Sequence, residues 1–225
     1  MKLLPGTLVL LASSALALAL QEPTAKPAAA APADAEIVAR QLPSYPLSTC
    51  PISHEPLDSM GKPHDLVHEG RLVRLCCKSC VKEFKQDPAA TLKAIDEGVV
   101  KAQKESYPLK TCAISGEELG SAGDPFELVY GTRLVRLCCK DCIKEFQKEP
   151  AKFMAQVDAA LIAEQKKAYP LTTCLVSGKP IEGAGVDQLY GTRLTRFCCE
   201  KCPAAFAKEP AKYLAQLDKA APKKN

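Results

Sequence analysis

The sequence predicts a small α+β protein built from three tandem copies of one cysteine-rich module. The first observation is a repeat, since Tyr45-Pro46-Leu47 recurs twice, each time 62 residues further along the chain. The second is the cysteine content: the 12 cysteines of the 225 residues fall into three sets of four. The third is composition, because 5% aromatic residues and no tryptophan disfavour a single deep core. Each module is therefore expected to have a small core of its own.

Composition narrows the class of protein further. The chain is 47% hydrophobic and 25% charged, which is too apolar for a wholly disordered protein. A formal net charge of +4 without a long basic run disfavours electrostatic binding of nucleic acid. Composition also excludes a collagen, a coiled coil, a multispan membrane protein and a large α/β enzyme.

The N-terminal residues have the pattern of an export signal. Met1-Lys2 precedes an uncharged apolar run, residues 3–20, that ends in small-residue cleavage patterns. An uncleaved anchor is the alternative, since about 20 apolar residues span a bilayer. Pro5 and Gly6 interrupt the run, however, and no basic cluster follows it. We expect a signal peptide over 1–20 and a periplasmic or secreted mature chain with no membrane span. The Ala/Pro-rich residues 21–34 predict a flexible linker.

The repeat interval also predicts the module boundaries. It links Ile37, Val99 and Leu161, which lie upstream of the tyrosine of each copy. The modules are therefore assigned to residues 35–96, 97–158 and 159–225. Each module continues into Tyr-Pro-Leu-x-Thr-Cys, which is predicted to be extended because the residue before proline disfavours the helical region.

The remaining elements of a module are clearest in the second copy. Residues 126–130 and 133–137 predict a β-hairpin with Gly131 in its turn. Cys142, Ile143 and Phe146 then have helical spacing. Pro150 ends that helix and suits the first position of a second one, which runs towards the next Tyr-Pro-Leu. Each module is thus predicted to contain a cysteine-bearing knuckle, a hairpin and two helices.

Four cysteines in each copy carry the predicted chemistry. One lies in the knuckle, and the other three form a Cys-Cys-x-x-Cys block at the start of a helix. The segment between them is two residues shorter in the third copy, while the block is unchanged. This layout is typical of thiolate sites for Zn(II), and thiolates also bind Cu(I). We expect up to one ion per module, held by Cys50, Cys76, Cys77 and Cys80; Cys112, Cys138, Cys139 and Cys142; and Cys174, Cys198, Cys199 and Cys202.

Two other functions would use the same cysteines. A disulfide-stapled repeat scaffold for protein interaction is favoured by the even cysteine count and by export. A thiol–disulfide oxidoreductase would use the Cys-x-x-Cys part of each block, although the βαβ pattern of redox folds is missing. The sequence shows no Ser/His/Asp set, paired-carboxylate motif or phosphate loop. A non-enzymatic metal-binding protein for sequestration, delivery or sensing is therefore the leading hypothesis, with metal ions and a metal-transfer protein as partners.

Several residues near the cysteines have simpler explanations. The strand arginines either stabilise thiolates or form a solvated face of the hairpin. The three histidines occur in the first copy alone, where His54 is expected in an exposed loop. The repeated tyrosines and phenylalanines are expected to pack. These residues are Arg71, Arg74, Arg133, Arg136, Arg193 and Arg196; His54, His64 and His68; Tyr45, Tyr107 and Tyr169; and Phe84, Phe146 and Phe206.

The third copy resembles a known group of modules. Its Gly-Thr-Arg-Leu-Thr-Arg-Phe-Cys-Cys-x-x-Cys block, followed by Phe206, Pro210 and Tyr213, is similar to the TRASH and YHS families of small metal-binding modules. The resemblance implies a treble-clef-like fold and a role in heavy-metal sensing, trafficking or resistance. It also implies, as ligands, an early cysteine and two cysteines separated by three residues, here Cys50, Cys76 and Cys80; Cys112, Cys138 and Cys142; and Cys174, Cys198 and Cys202.

The knuckle departs from the pattern of these families. Ser53, Ser115 and Ser177 stand where a second knuckle cysteine is often found. A neutral serine is a poor zinc ligand, so two possibilities stay open for the fourth ligand. It is either the second cysteine of each Cys-Cys pair or a water at an open position.

Overall fold

A computed structural model describes residues 33–121 and 123–221 of the chain. The predicted signal peptide and nearly all of the predicted linker lie outside these residues. Asp34, the last residue assigned to the linker, is the first residue of a helix. All described residues belong to one compact unit. Within them, no helix combines the length and the apolar character needed to cross a membrane.

One order of elements occurs three times: a two-stranded hairpin followed by two helices. A helix and a short 3-10 turn precede the first hairpin. The predicted α+β class with three repeated units is therefore confirmed. In chain order the elements are α1 (Asp34–Gln41), the 3-10 turn Leu42–Ser44, β1 (His64–His68), β2 (Arg71–Leu75), α2 (Lys78–Gln86), α3 (Pro88–Gln103), β3 (Phe126–Tyr130), β4 (Arg133–Leu137), α4 (Asp141–Lys148), α5 (Pro150–Lys167), β5 (Val186–Tyr190), β6 (Arg193–Phe197), α6 (Cys202–Phe206) and α7 (Pro210–Ala220).

The predicted hairpin of the second module is confirmed. Strands β3 and β4 pair antiparallel, with Phe126 opposite Leu137 and Tyr130 opposite Arg133. Gly131 turns the chain between them with a φ of 63°, a left-handed conformation that glycine adopts without steric cost. In β4, Leu134, Val135 and Leu137 are buried, so this strand supplies the core face of the hairpin.

Proline starts the second helix of every module. Pro88, Pro150 and Pro210 occupy the first positions of α3, α5 and α7, where the missing N–H costs no helical hydrogen bond. The helix start predicted at Pro150 is confirmed. In α3 the Asp87 side chain also caps the helix by accepting a hydrogen bond of 3.1 Å from the Ala89 N–H.

The long helices α3 and α5 each serve two modules. Helix α3 packs against α2 of the first module and against β3 and β4 of the second, and α5 similarly joins α4 to β5 and β6. The predicted boundaries at 96/97 and 158/159 therefore fall inside helices. Three buried clusters form the cores, but the first also contains Leu134 from the hairpin of the second module. The modules thus have distinct cores that are not fully separate.

Candidate metal centres

Each module brings three cysteine sulfurs together, and all nine of these cysteines are buried except the partly exposed Cys198. In the first module these are Cys50, Cys76 and Cys80, whose Sγ atoms all lie within 4.8 Å of one another. The second and third modules repeat the arrangement. The groups, called the cysteine trios below, are Cys50, Cys76 and Cys80; Cys112, Cys138 and Cys142; and Cys174, Cys198 and Cys202.

Three different elements position the sulfurs of a trio. Cys50 lies in a tight turn, closed by hydrogen bonds from the Cys50 N–H to the Glu55 carbonyl (2.7 Å) and from the His54 N–H to the Cys50 carbonyl (2.9 Å). Cys76 directly follows strand β2, and Cys80 lies in the first turn of α2. Knuckle, strand end and helix start therefore meet at one point, as the spacing of the cysteines predicts.

The dimensions of the trios fit a thiolate-bound metal ion. Sulfurs that share a tetrahedral Zn(II) with Zn–S bonds of about 2.3 Å lie about 3.8 Å apart. The Sγ–Sγ distance is 3.8 Å for Cys76–Cys80, 3.7 Å for Cys138–Cys142 and 3.9 Å for Cys198–Cys202. The knuckle sulfur is also within this range in the second module, where Cys112 and Cys142 are 3.8 Å apart.

The surroundings of the knuckle cysteine lower the pKa of its thiol in every trio. Burial raises the pKa of Cys50, but hydrogen bonds from the backbone N–H groups of Ser53, in the knuckle, and Cys76, after strand β2, outweigh it. Together with the Ser53 hydroxyl they lower the pKa to about 6. The same balance lowers the pKa of Cys112 and of Cys174 to about 6. Each knuckle is thus built to hold a negatively charged sulfur.

The helix cysteines of the trios titrate in the opposite direction. Burial, with the neighbouring sulfurs, raises the pKa of Cys80 and of Cys202 to about 12, and it raises the pKa of Cys142 as well. In each trio a knuckle sulfur that ionises readily therefore lies beside a helix thiol that keeps its proton. A metal cation would displace that proton and bind all three sulfurs together.

A serine hydroxyl lies against each cysteine trio. The Oγ of Ser53 lies 3.1 Å from the Sγ of Cys76, and the corresponding distances are 3.2 Å for Ser115–Cys138 and 3.4 Å for Ser177–Cys198. The serines that replace a knuckle cysteine are thus in contact with the trios.

The second cysteine of each Cys-Cys pair lies outside the trios. Its Sγ approaches that of the helix cysteine, at 3.4 Å for Cys77–Cys80 and 3.6 Å for both Cys139–Cys142 and Cys199–Cys202. It is not within 4.8 Å of all three trio sulfurs. Cys77 and Cys139 are partly exposed and Cys199 is exposed. We call these three residues the outer cysteines.

Hydrogen bonding lowers the pKa of all three outer cysteines. For Cys77, the Ser79 hydroxyl is the largest influence, and the pKa falls to about 6. For Cys139 and Cys199, backbone N–H groups at the start of the following helix lower the pKa. The outer sulfurs are therefore accessible and readily ionised.

None of the twelve cysteines, all of which lie in the described residues, is in a disulfide. The shortest Sγ–Sγ hydrogen-bond distance, 3.4 Å for Cys77–Cys80, is well beyond a bond length of about 2.05 Å. The hypothesis of a disulfide-stapled scaffold is therefore not supported by any bonded pair of cysteines in the described residues.

The arginines and histidines do not join the metal groups. The Arg74 guanidinium pairs with Asp65 at 2.7 Å, and Arg71 pairs with Asp96, so these cations neutralise carboxylates rather than face a thiolate. His54 is exposed, with a φ of 64°, and the His68 ring packs edge-on against Phe84. Among the described residues, no histidine belongs to a candidate metal group.

Sequence reasoning missed one set of residues that supports the site. Gln41, Gln103 and Gln165 each bind the backbone of a hairpin with both ends of the side-chain amide. They recur at the same 62-residue interval as the tyrosines, which could have revealed them.

Comparison of the chain with protein-family models, with curated proteins and with solved structures gave no match.

Proposed function

We propose that the chain is an exported, non-enzymatic metal-binding protein that holds one Zn(II) or Cu(I) ion in each module for sequestration, delivery or sensing. The observation that carries the proposal is the threefold recurrence of a cysteine trio with metal-ligand spacing. The residue pattern shared with TRASH and YHS modules supports a treble-clef-like fold for each unit, and the N-terminal apolar run supports export.

The chemistry of the trios favours soft or borderline metal ions. Thiolate sulfur selects Cu(I) and Zn(II) over hard cations such as Mg²⁺ and Ca²⁺, which prefer oxygen. Most of the trio cysteines are buried, with Cys50 fully inaccessible, so a bound ion would be shielded from water. Three sulfurs alone suit a trigonal Cu(I) site. Zn(II) would take a fourth ligand from water or from the outer cysteine.

Native mass spectrometry of the chain, purified without added reductant or chelator, tests the proposal. We expect three metal ions per chain and no mass loss from disulfides. The variant Cys112→Ser should bind two ions, because the trio of the second module lies entirely within that module. A metal-free chain with six disulfides would instead favour the stapled scaffold. Loss of all ions in Cys112→Ser would contradict independent sites.

A second candidate, thiol–disulfide exchange, is favoured by one feature of the helix starts. Cys77 is partly exposed, and its sulfur lies 3.4 Å from that of buried Cys80, so an accessible sulfur sits beside a protected one. A redox pair needs this arrangement. The same mass spectrum separates the two functions, since an oxidoreductase would be metal-free and would carry one disulfide within each Cys-x-x-Cys.

A further inference from the structure

We propose that the outer cysteines, Cys77, Cys139 and Cys199, are exchange ligands that pass a metal ion between the solvent side of each module and the buried trio. The inference rests on the proposed function and adds to it a path by which ions enter and leave. It assigns the outer cysteine a role distinct from that of a resident fourth ligand.

A gradient of exposure runs across each site. In the first module Cys50, Cys76 and Cys80 are 0%, 3% and 4% exposed, so an incoming ion cannot reach them directly. Cys77, next in the chain to Cys76, is partly exposed. In the third module Cys199 is exposed, Cys198 is partly exposed, and Cys174 and Cys202 are buried. The most exposed sulfur of each site is therefore the outer one.

The outer sulfur is close enough to share an ion with only part of the trio. It lies 3.4–3.6 Å from the helix cysteine, a separation that a single metal ion can bridge. Since it is not within 4.8 Å of every trio sulfur, all four sulfurs do not converge on one point. An ion held by the outer cysteine and the helix cysteine thus occupies a position intermediate between solvent and trio.

Transfer then follows as a series of ligand exchanges without redox change. On loading, the outer and helix sulfurs form bonds to the ion, and their thiol protons leave to solvent. Bonds to the knuckle cysteine and to the cysteine after the strand then form as the bond to the outer sulfur breaks. Any proton on these two sulfurs passes to solvent or to the released outer sulfur. Release runs through the same steps in reverse, with the acceptor ligand binding the ion at the outer position.

All three modules share this geometry. The sulfur-to-sulfur contact between the outer and helix cysteines recurs with distances that differ by only 0.2 Å. The residue that lies two positions after the outer cysteine differs, being Ser79, Asp141 and Lys201 in turn. The contact between the outer and helix sulfurs is kept although the residue beside it changes. A function of the outer sulfur itself explains this.

The test uses the full chain loaded with Cd²⁺, whose bonds to thiolate absorb in the ultraviolet. Cys199→Ser removes an outer cysteine, and Cys202→Ser is the matched control that removes a trio member from the same block. Native mass spectrometry counts the bound ions, and the decay of the absorbance after addition of EDTA gives their exchange rates. Cys139→Ser repeats the test in another module, with circular dichroism to establish that each variant is folded.

We expect Cys199→Ser to keep three ions and to release one of them more slowly than the unmodified chain, because the sulfur that first receives the leaving ion is gone. We expect a change of about tenfold, similar in size to the smaller effects of neighbouring residues on metal affinity. Cys202→Ser should keep two ions. A Cys199→Ser chain with two ions would make the outer cysteine a resident ligand, and three ions with unchanged release would make it a bystander; either result overturns the inference. An unmodified chain that binds no Cd²⁺ would instead overturn the proposed function.

Discussion

The tyrosine of each Tyr-Pro-Leu fixes the strand that leads into the Cys-Cys pair. The hydroxyl oxygen of Tyr107 accepts a hydrogen bond of 3.1 Å from the Arg136 backbone N–H, and the guanidinium of Arg136 lies over the tyrosine ring. Tyr45 and Tyr169 make the same contacts in their modules. Burial raises the pKa of Tyr45 to about 12, so the phenol stays neutral. Because this arginine lies two residues before the first cysteine of the pair, the tyrosine positions the trio indirectly.

Replacing Tyr107 with Phe tests this contact. The ring and its packing are kept, but the Arg136 N–H loses its partner, so we expect the free energy of unfolding to fall by about 1–3 kcal/mol. Urea denaturation measures the change. Tyr130→Phe is the matched control, since Tyr130 is 46% exposed and its substitution should change stability little. Equal effects of the two substitutions would contradict a structural role for the Tyr107 hydroxyl.

For single residues, the sequence predicts which side chains could bind a metal ion better than it predicts which groups the other side chains contact. The spacing of the cysteines predicts a group of four in each module, and the resemblance to TRASH and YHS modules implies which three of them form a trio. The tyrosines are predicted to pack, and they do, but their hydrogen bonds are to backbone 29 residues away in the first two modules. The sequence offers a thiolate or solvent as the surroundings of the strand arginines, whereas Arg71 and Arg74 pair with the carboxylates of Asp96 and Asp65.

At the level of elements, a glutamine joins each long helix to the hairpin that follows it. The Nε2 of Gln103, at the end of α3, donates to the Thr132 carbonyl at 2.8 Å, and its Oε1 accepts from the Leu134 N–H at 2.9 Å. Gln41 and Gln165 make the same two hydrogen bonds to the backbone of their hairpins. One side chain thus satisfies both a donor and an acceptor of each hairpin, at and just after its turn, and sets the position of the hairpin on the preceding helix.

The substitution Gln103→Ala removes both of these hydrogen bonds and should loosen the second hairpin. The Leu134 N–H would be left without its partner, at a cost of about 1–3 kcal/mol in the free energy of unfolding. Hydrogen exchange at the β3 and β4 amides should rise more than exchange at β1 and β2. Gln156→Ala, at an exposed position of α5, is the control for loss of a glutamine from a helix. An equal rise in amide hydrogen exchange in all three hairpins would contradict a local role for Gln103.

The elements themselves follow from short-range patterns, but their attachments do not. Alternating apolar residues around Gly131 predict the second hairpin, and the position of Pro150 predicts the start of α5, because both depend on residues close in sequence. The sharing of α3 between two modules depends on contacts with β3 and β4, far along the chain. A boundary drawn from the repeat interval therefore divides a continuous helix.

In the whole molecule, turns of the second and third modules meet the segment that begins the first. The Thr132 hydroxyl donates to the Gln41 carbonyl at 3.0 Å and also contacts the Ser44 hydroxyl at 2.7 Å. Gly191, in the turn of the third hairpin, lies against the backbone of Pro43. A repeat interval predicts contacts between neighbouring modules. The repeat interval does not predict the contact between the third module and the first, because these modules are not neighbours in the sequence. That contact depends on the three-dimensional arrangement of the chain.

Substitution of Gly191 with Ala tests whether this contact stabilises the molecule. Gly191 has a φ of 66°, and an added Cβ would lie 2.7 Å from the Pro43 carbonyl oxygen. Gly183→Ala is the matched control, because Gly183 has a φ of 61° and an added Cβ there meets no atom within 4 Å. Both variants bear the strain of a left-handed alanine, roughly 1–2 kcal/mol.

Only Gly191→Ala must also displace the Pro43 backbone, so its free energy of unfolding should fall by about a further 1–3 kcal/mol in urea denaturation. The folded Gly191→Ala variant should still bind as many metal ions as the unmodified chain, because each trio lies within a single module. Equal destabilisation by the two substitutions would show that the contact between the third module and the first adds nothing to stability. A loss of ions in folded Gly191→Ala would instead show that the sites depend on the arrangement of the modules.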